Sequence, residues 1–197
     1  MFDIAGKVAL ITGSTRGIGQ AIAERMAEAG AKVVISSRKA DACTAVADGI
    51  TAKGGTAIAQ AANISDKAAL QALVDRTIAQ WGRIDILVCN AAVNPYYGPL
   101  GGISDDAFDK IMSSNVRSNL WLCNMVIPQM AERKDGAVII ISSIAGLKGN
   151  SMLGAYGISK AADFQLARNL AVEWGPSNVR VNAIAPAIIR TDFAKKL

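Results

Sequence analysis

Leu10-Ile11-Thr12-Gly13-Ser14-Thr15-Arg16-Gly17-Ile18-Gly19 runs from an apolar stretch through three glycines into a long alanine-rich helical pattern. Strand, turn and helix are the elements it predicts. Glycine reaches positive φ cheaply and carries no Cβ, so glycines this close mark a backbone that bends sharply and lets another group come against it. A helix starting near Gly17 aims free N–H groups and roughly half a positive charge at that point, which suits a pyrophosphate. Taken alone, the triplet also reads as a merely tight strand-to-helix turn.

The rest of the chain repeats the alternation. Val- and Ile-rich runs at Val8 to Thr12, Lys32 to Ser37, Thr56 to Ala61, Ile84 to Cys89, Ala137 to Ser142 and Val179 to Ala185 are separated by helical patterns. These helices are expected at Gly17 to Ala29, Lys39 to Lys53, Asp66 to Gln80, Asp105 to about Arg133, and Leu153 to Trp174. Apolar strands alternating with helices predict a three-layer α/β fold around a doubly wound parallel sheet of Rossmann type. Ligands of such sheets bind beyond the C-terminal strand ends, where the strand order reverses.

With 197 residues, of which 51% are hydrophobic, the chain has the size of one domain with a substantial core. No apolar run has the roughly 18 residues of a membrane span, and no secretory pattern opens the sequence, so a soluble cytoplasmic protein is expected. Cys43, Cys89 and Cys123 lack metal or redox spacing and read as reduced thiols. The chain has no histidine, which excludes Ser-His-Asp and Cys-His nucleophiles and every His-based metal site. The net charge of +5 is dispersed, which fits an anionic cofactor better than nucleic acid.

The second strand ends in Ser36-Ser37-Arg38-Lys39, where an NAD-binding domain usually places an acid for the ribose 2′-hydroxyl. Ser37 and Arg38, with Arg16 approaching from the glycine loop, suit a 2′-phosphate instead, so NADP(H) is expected over NAD(H).

Several pieces now stand in order: Thr12-Gly13-X-X-X-Gly17-Ile18-Gly19, Asn90-Ala91, Asn115, Ser143, and Tyr156-X-X-X-Lys160. Together they resemble the short-chain dehydrogenase/reductase family along the whole chain. The runs Gly82 to Val88 and Val179 to Pro186 are also similar to that family's.

Tyr156 and Lys160 are four apart on a helix and share a face. A phenol titrates near ~10 in water, and a unit charge about 4 Å away is worth roughly 4 kcal/mol at an effective dielectric of 20, or about three pK units. Lys160 is therefore expected to draw the Tyr156 phenol down toward neutrality, assisted by the positive charge of an oxidised nicotinamide. A helix-surface Tyr and Lys is the alternative for the isolated motif. Ser143 or Ser142, at a strand end, faces the carbonyl to be polarised, and the resemblance selects Ser143. It implies that Asn115 holds a helix distortion and a water serving Lys160; an exposed or capping Asn is the alternative.

The resemblance further implies cofactor contacts from Gly13, Ser14, Thr15, Arg16, Gly17, Ile18 and Gly19. It adds Asn63 and Ile64 at adenine, Asn90, Ala91, Tyr156 and Lys160 near the nicotinamide ribose, and Pro186, Ile188 and Thr191 at the carboxamide.

Four positions depart from the family pattern: Asn63 for Asp, Cys89 for Asn, Ala92 for Gly and Ala187 for Gly. Either alanine is strained if its place demands positive φ. The sequence also ends at Phe193-Ala194-Lys195-Lys196-Leu197, short of where the family's chains finish, so a last strand and the substrate lid are expected to be missing.

What the resemblance implies is an NADPH-dependent reductase of ketones or aldehydes, reversible as an alcohol dehydrogenase and similar to carbonyl reductases and 3-oxoacyl-thioester reductases. The partners are then a small carbonyl or alcohol and further copies of the chain, as a homodimer or homotetramer. Trp121, Leu122 and Met125 are candidates for that face or for the core. Competing readings are an NADPH-sensing scaffold without turnover and an NAD-dependent sugar or polyol dehydrogenase.

Overall fold

Val8–Thr12 (β1) is buried along its whole length, as a strand covered on both faces must be. It sits in the middle of a parallel sheet with β2 (Lys32–Ser36), β3 (Thr56–Ala59), β4 (Ile86–Cys89), β5 (Gly136–Ile141) and β6 (Val179–Ile184), in the order β3-β2-β1-β4-β5-β6. The computed structural model describes residues 3–191, so the residues from Phe193 to Leu197 read above lie outside the described part. The helices are α1 (Gly17–Glu28), α2 (Ala40–Ala52), α3 (Lys67–Trp81), α4 (Asp105–Met112), α5 (Ser118–Glu132) and α6 (Gly154–Trp174).

Adjacent strand residues point to opposite faces, and each face builds its own core. Leu10, Leu87, Val138 and Ile140 pack with Leu73 of α3, Leu122 and Val126 of α5 and Leu170 of α6. Ile11, Val33, Ile35 and Val88 pack with Ala23 and Ala27 of α1 and with Cys43, Ala47 and Ile50 of α2. The three layers of the doubly wound fold follow directly. Leu122 therefore belongs to the core and not to an outer face, whereas Trp121 and Met125 pack against it only partly covered.

Two expectations need correction. β6 is not buried on both faces: Val179 and Val181 are covered while Arg180 and Asn182 are exposed, the alternation of a half-covered edge strand. The region from Asp105 to Arg133 is not one helix. A five-residue π-type turn, Ser113–Arg117, separates α4 from α5, because Asn115 there directs its side chain to another segment's backbone. Neither Ala92 nor Ala187 adopts positive φ; among non-glycine residues described, only Lys134 and Asn178 do. The strain foreseen at the two alanines does not arise.

Cys43, Cys89 and Cys123 are buried and unbridged. Among the described residues, no helix is long and apolar enough to cross a membrane.

Asp85, just ahead of β4, ties the N-terminal ends of two central strands together. Its Oδ2 accepts the Val8 N–H at 2.9 Å and its Oδ1 accepts Arg83 Nε at 2.7 Å, with the side chain almost fully buried. Asp85→Ala leaves a buried N–H and a guanidinium without their acceptor. We expect a loss of about 2–3 kcal/mol, seen in thermal unfolding as a Tm lower by roughly 5–10 °C.

Candidate active site

The strand order reverses between β1 and β4, and there a cleft of about 1100 Å³ opens. Thr12, the last residue of β1, clamps its two sides. Its Oγ1 accepts the Asn90 and Ala91 N–H groups, each at 3.1 Å, while Asn90 Nδ2 donates to the Thr12 and Gly13 carbonyls at 2.9 and 3.1 Å. Asn90 thus spends its amide on holding the glycine turn in place.

Gly13 and Gly17 have φ of +65° and +58°. A Cβ on Gly13 would stand 3.0 Å from Ala91 Cα, one on Gly17 would stand 3.2 Å from Thr191 Cγ2, and one on Gly19 would collide with the Gly13 carbonyl. Only bare backbone fits this turn. α1 begins behind it with no side-chain cap, as α2 and α6 also do, and its first residues Gly17 and Ile18 line the cleft, where uncapped N–H groups suit a phosphate. The turn and helix start fit the pyrophosphate of a dinucleotide.

Most expected contact residues line this one cleft: Gly13, Thr15, Arg16, Gly17, Ile18, Ser37, Arg38, Asn63, Ile64, Asn90, Ala91, Pro186, Ile188 and Thr191. Ser14 and Gly19 do not. Ser14 is fully buried, its Oγ donating to the Ile11 carbonyl at 2.8 Å and accepting the Ser36 N–H at 2.8 Å, so it braces the loop against β2 from behind. Gly19 is buried behind the turn.

Arg16, Arg38, Lys39, Lys110, Lys148 and Lys160 supply the cleft's cations, and no Asp or Glu among the described residues lines it. Lys39, Lys110 and Lys148 were not singled out from the sequence. Lys110 Nζ donates to Ser65 Oγ at 3.0 Å near Asn63, an arrangement that no local spacing announces.

At the other end of the cleft, β5 and α6 bring Ser143, Tyr156 and Lys160 together. The choice between the two serines is decided by direction. Ser142 is buried and donates from Oγ to the Lys160 carbonyl at 2.7 Å, whereas Ser143 hydrogen-bonds the Tyr156 side chain. Lys160 is buried behind the ring, with Nζ 5.8 Å from the Tyr156 ring centre.

Asn115 is neither exposed nor a cap. Its Oδ1 accepts the Val93 N–H at 2.8 Å, and its Nδ2 donates to the Val93 carbonyl at 3.0 Å and to Ser159 Oγ at 3.0 Å. Ser159 in turn donates to the Tyr156 carbonyl at 2.7 Å. The π-type turn around Asn115 is the distortion implied by the resemblance, and it ties the cleft's floor to α6.

The expected acidic phenol is absent from the chain alone. Burial, and after it the negative charge of Asp163, pushes the Tyr156 phenol up to about 12, against a smaller downward pull from the Ser143 hydrogen bond. Part of the reason, after burial, is a residue that the sequence reading missed. Lys160 Nζ donates to Asp163 Oδ2 at 2.9 Å and to the Ile141 carbonyl at 2.9 Å, so a carboxylate faces the ammonium that was to act on the phenol. Asn119 Nδ2, also missed, donates to Asp163 Oδ1 at 3.0 Å and to the Asn115 carbonyl at 2.7 Å. The signal was present: Lys160 and Asp163 are three apart on one helix, and Asn115 and Asn119 four apart on another.

Comparison with known proteins places this geometry. The family model for short chain dehydrogenases matches residues 7–197. Dehydrogenase/reductase SDR family member 4 of Oryctolagus cuniculus is 41% identical over 194 residues, covering 98% of this chain and 75% of that protein. Among solved structures, a 7α-hydroxysteroid dehydrogenase complexed with NADH and 7-oxo-glycochenodeoxycholic acid superposes with a TM-score of 0.94 at 39% identity, covering all of this chain and 78% of that one. Levodione reductase superposes with the same TM-score at 32% identity, over 98% of this chain and 75% of its own. Members of this family bind a nicotinamide cofactor, to which the glycine turn and the uncapped start of α1 are fitted. By the match over residues 7–197 and by these relatives, the chain belongs to the short-chain dehydrogenase/reductase family, and its class of activity is that of an oxidoreductase.

Proposed function

We propose that the protein interconverts ketones or aldehydes with the corresponding alcohols using NADP(H), and that Tyr156 exchanges the proton at the substrate oxygen. The observation that carries the reading is the juxtaposition of the Tyr156 and Ser143 hydroxyls at the mouth of the cleft, with Lys160 buried behind them. When bound, the nicotinamide supplies or accepts the hydride. Everything else falls to the chain. Ser143 donates a hydrogen bond that polarises the carbonyl and favours the developing oxyanion. Tyr156 is a neutral phenol at physiological pH, the form that has a proton to give. Asn115 and Ser159 fix α6 so that both hydroxyls face one substrate atom.

For the cofactor's 2′-phosphate, Arg16, Arg38 and Ser37 line the cleft beyond β2 with no carboxylate beside them. NAD is the competing choice, favoured by the likeness to a dehydrogenase complexed with NADH. The substrate end is bordered by Val93, Tyr97, Leu153 and Ile188, a mainly apolar wall that suits the carbon skeleton of a ketone or secondary alcohol.

Three measurements test the reading. In steady-state assays with a carbonyl panel, Tyr156→Phe is expected to lower kcat roughly 10²–10⁴-fold while cofactor binding persists; undiminished turnover removes the mechanism, and cofactor binding without turnover in the unaltered chain favours the sensor. Phenol is the populated form below its titration point and phenolate above it. Alcohol oxidation, which needs the phenolate, should therefore climb as pH rises from about 7 to 10, while carbonyl reduction stays level near neutrality. Finally, Arg38→Asp should reduce the ratio of NADP to NAD efficiency by roughly tenfold or more, and an unchanged ratio assigns the 2′-phosphate to other residues.

A further inference from the structure

Lys160 and Asp163 form, among the described residues, the one salt bridge in which both side chains are buried, at 2% and 0% exposure. Breaking up such a pair is costly, and removing both charges in favour of apolar groups is often harmless, so a buried pair beside a reactive phenol points to a use for it. Its surroundings are fully organised. Lys160 Nζ is shared between Asp163 Oδ2 and the Ile141 carbonyl at the end of β5, and Asp163 Oδ1 is held by Asn119, whose amide also reaches the carbonyl of Asn115 in the π-type turn. One line of contacts therefore connects the turn in the long helical region with the ammonium behind Tyr156.

We propose that Asp163 is a positioning residue for Lys160, holding the ammonium at the end of β5 and cancelling part of its charge, so that Tyr156 and the cofactor ribose meet a partly neutralised cation. This deepens, and rests on, the assignment of Tyr156 as the proton-exchanging group. The other titratable groups packed against the pair carry no charge near neutrality. Tyr156 stands on the same helix, and Cys89 at the end of β4 is held above its ordinary range by its hydrogen bond with Cys123 of α5 and by burial. Asp163 itself is held up first by burial, against the pull of Lys160 and Asn119. Its negative charge, second only to burial, keeps the Tyr156 phenol protonated. The acid thus adds to burial in raising the pH above which the phenolate becomes available.

The test is Asp163→Asn, nearly isosteric and able to keep one acceptor, with Asp163→Ser as a smaller second variant that removes the same charge. Phenolate formation is followed by ultraviolet difference titration, with Tyr156→Phe as the subtracted reference and circular dichroism confirming the fold at each pH. This readout does not depend on turnover. We expect the Tyr156 midpoint to fall by about one pH unit in Asp163→Asn, as removal of a nearby charge in a protein interior implies, and in the same direction in Asp163→Ser. In parallel, the acid limb of kcat/KM for alcohol oxidation should move down by about the same amount. An unmoved or raised midpoint in folded Asp163→Asn overturns the proposal even if the enzyme reduces carbonyls. A lowered midpoint in a chain that turns over no carbonyl or alcohol sustains it and instead defeats the proposed function. If Asp163→Asn does not fold, the Asp163→Ser midpoint decides in the same way.

Discussion

Thr12 couples two strands that are neighbours in space but far apart in sequence, and the cleft exists because of that coupling. Its hydroxyl accepts two backbone N–H groups from the segment after β4, and Asn90 returns two bonds to the backbone at the end of β1. All four hydrogen bonds lie where the strand order reverses, so they close the bottom of an opening that the sheet topology would otherwise leave loose. The positive-φ glycine at position 13 is then fixed from both sides, and α1 is directed at the space above it. Without this brace the glycine turn would be only a flexible connection.

The far end of the cleft is built on opposite principles. At the nucleotide end, cations stand open to a ligand with no acid among the described residues lining it. At the reactive end the cation is buried and already paired, and the hydroxyls carry no charge. Burial of the phenol, and after it the Asp163 carboxylate behind it, favours the protonated form of Tyr156 over the phenolate. The same pairing shows why a helical Tyr-x-x-x-Lys spacing is a poor guide to electrostatics by itself: the sign of the effect depends on what else touches the ammonium.

This also marks how far the sequence can be read. Strand and helix order, the sheet type, the glycine turn and the positions of Ser143, Tyr156 and Lys160 all follow from local pattern, because period, apolar runs and i to i+4 spacing are properties of neighbouring residues. The roles of Ser142 against Ser143, the inward turn of Ser14 and the Asn119 partner of Asp163 do not. Each depends on which face a side chain presents to an element distant in sequence, such as Ser142 meeting the Lys160 carbonyl or Asp163 meeting Asn119. The one-sided burial of β6, by contrast, was legible, since Val179-Arg180-Val181-Asn182 alternates apolar and polar residues where β1 and β4 are continuously apolar.

The π-type turn at Ser113–Arg117 reaches beyond the hydrogen bonds it rearranges. A turn that closes over one extra residue rotates everything downstream by roughly 100° compared with an uninterrupted helix. α5 therefore has its own phase, and that phase is what aims Leu122, Val126 and Met130 at the sheet. A deletion of a single residue within the turn would thus act far from the cleft, swinging an entire apolar stripe away from the core it fills.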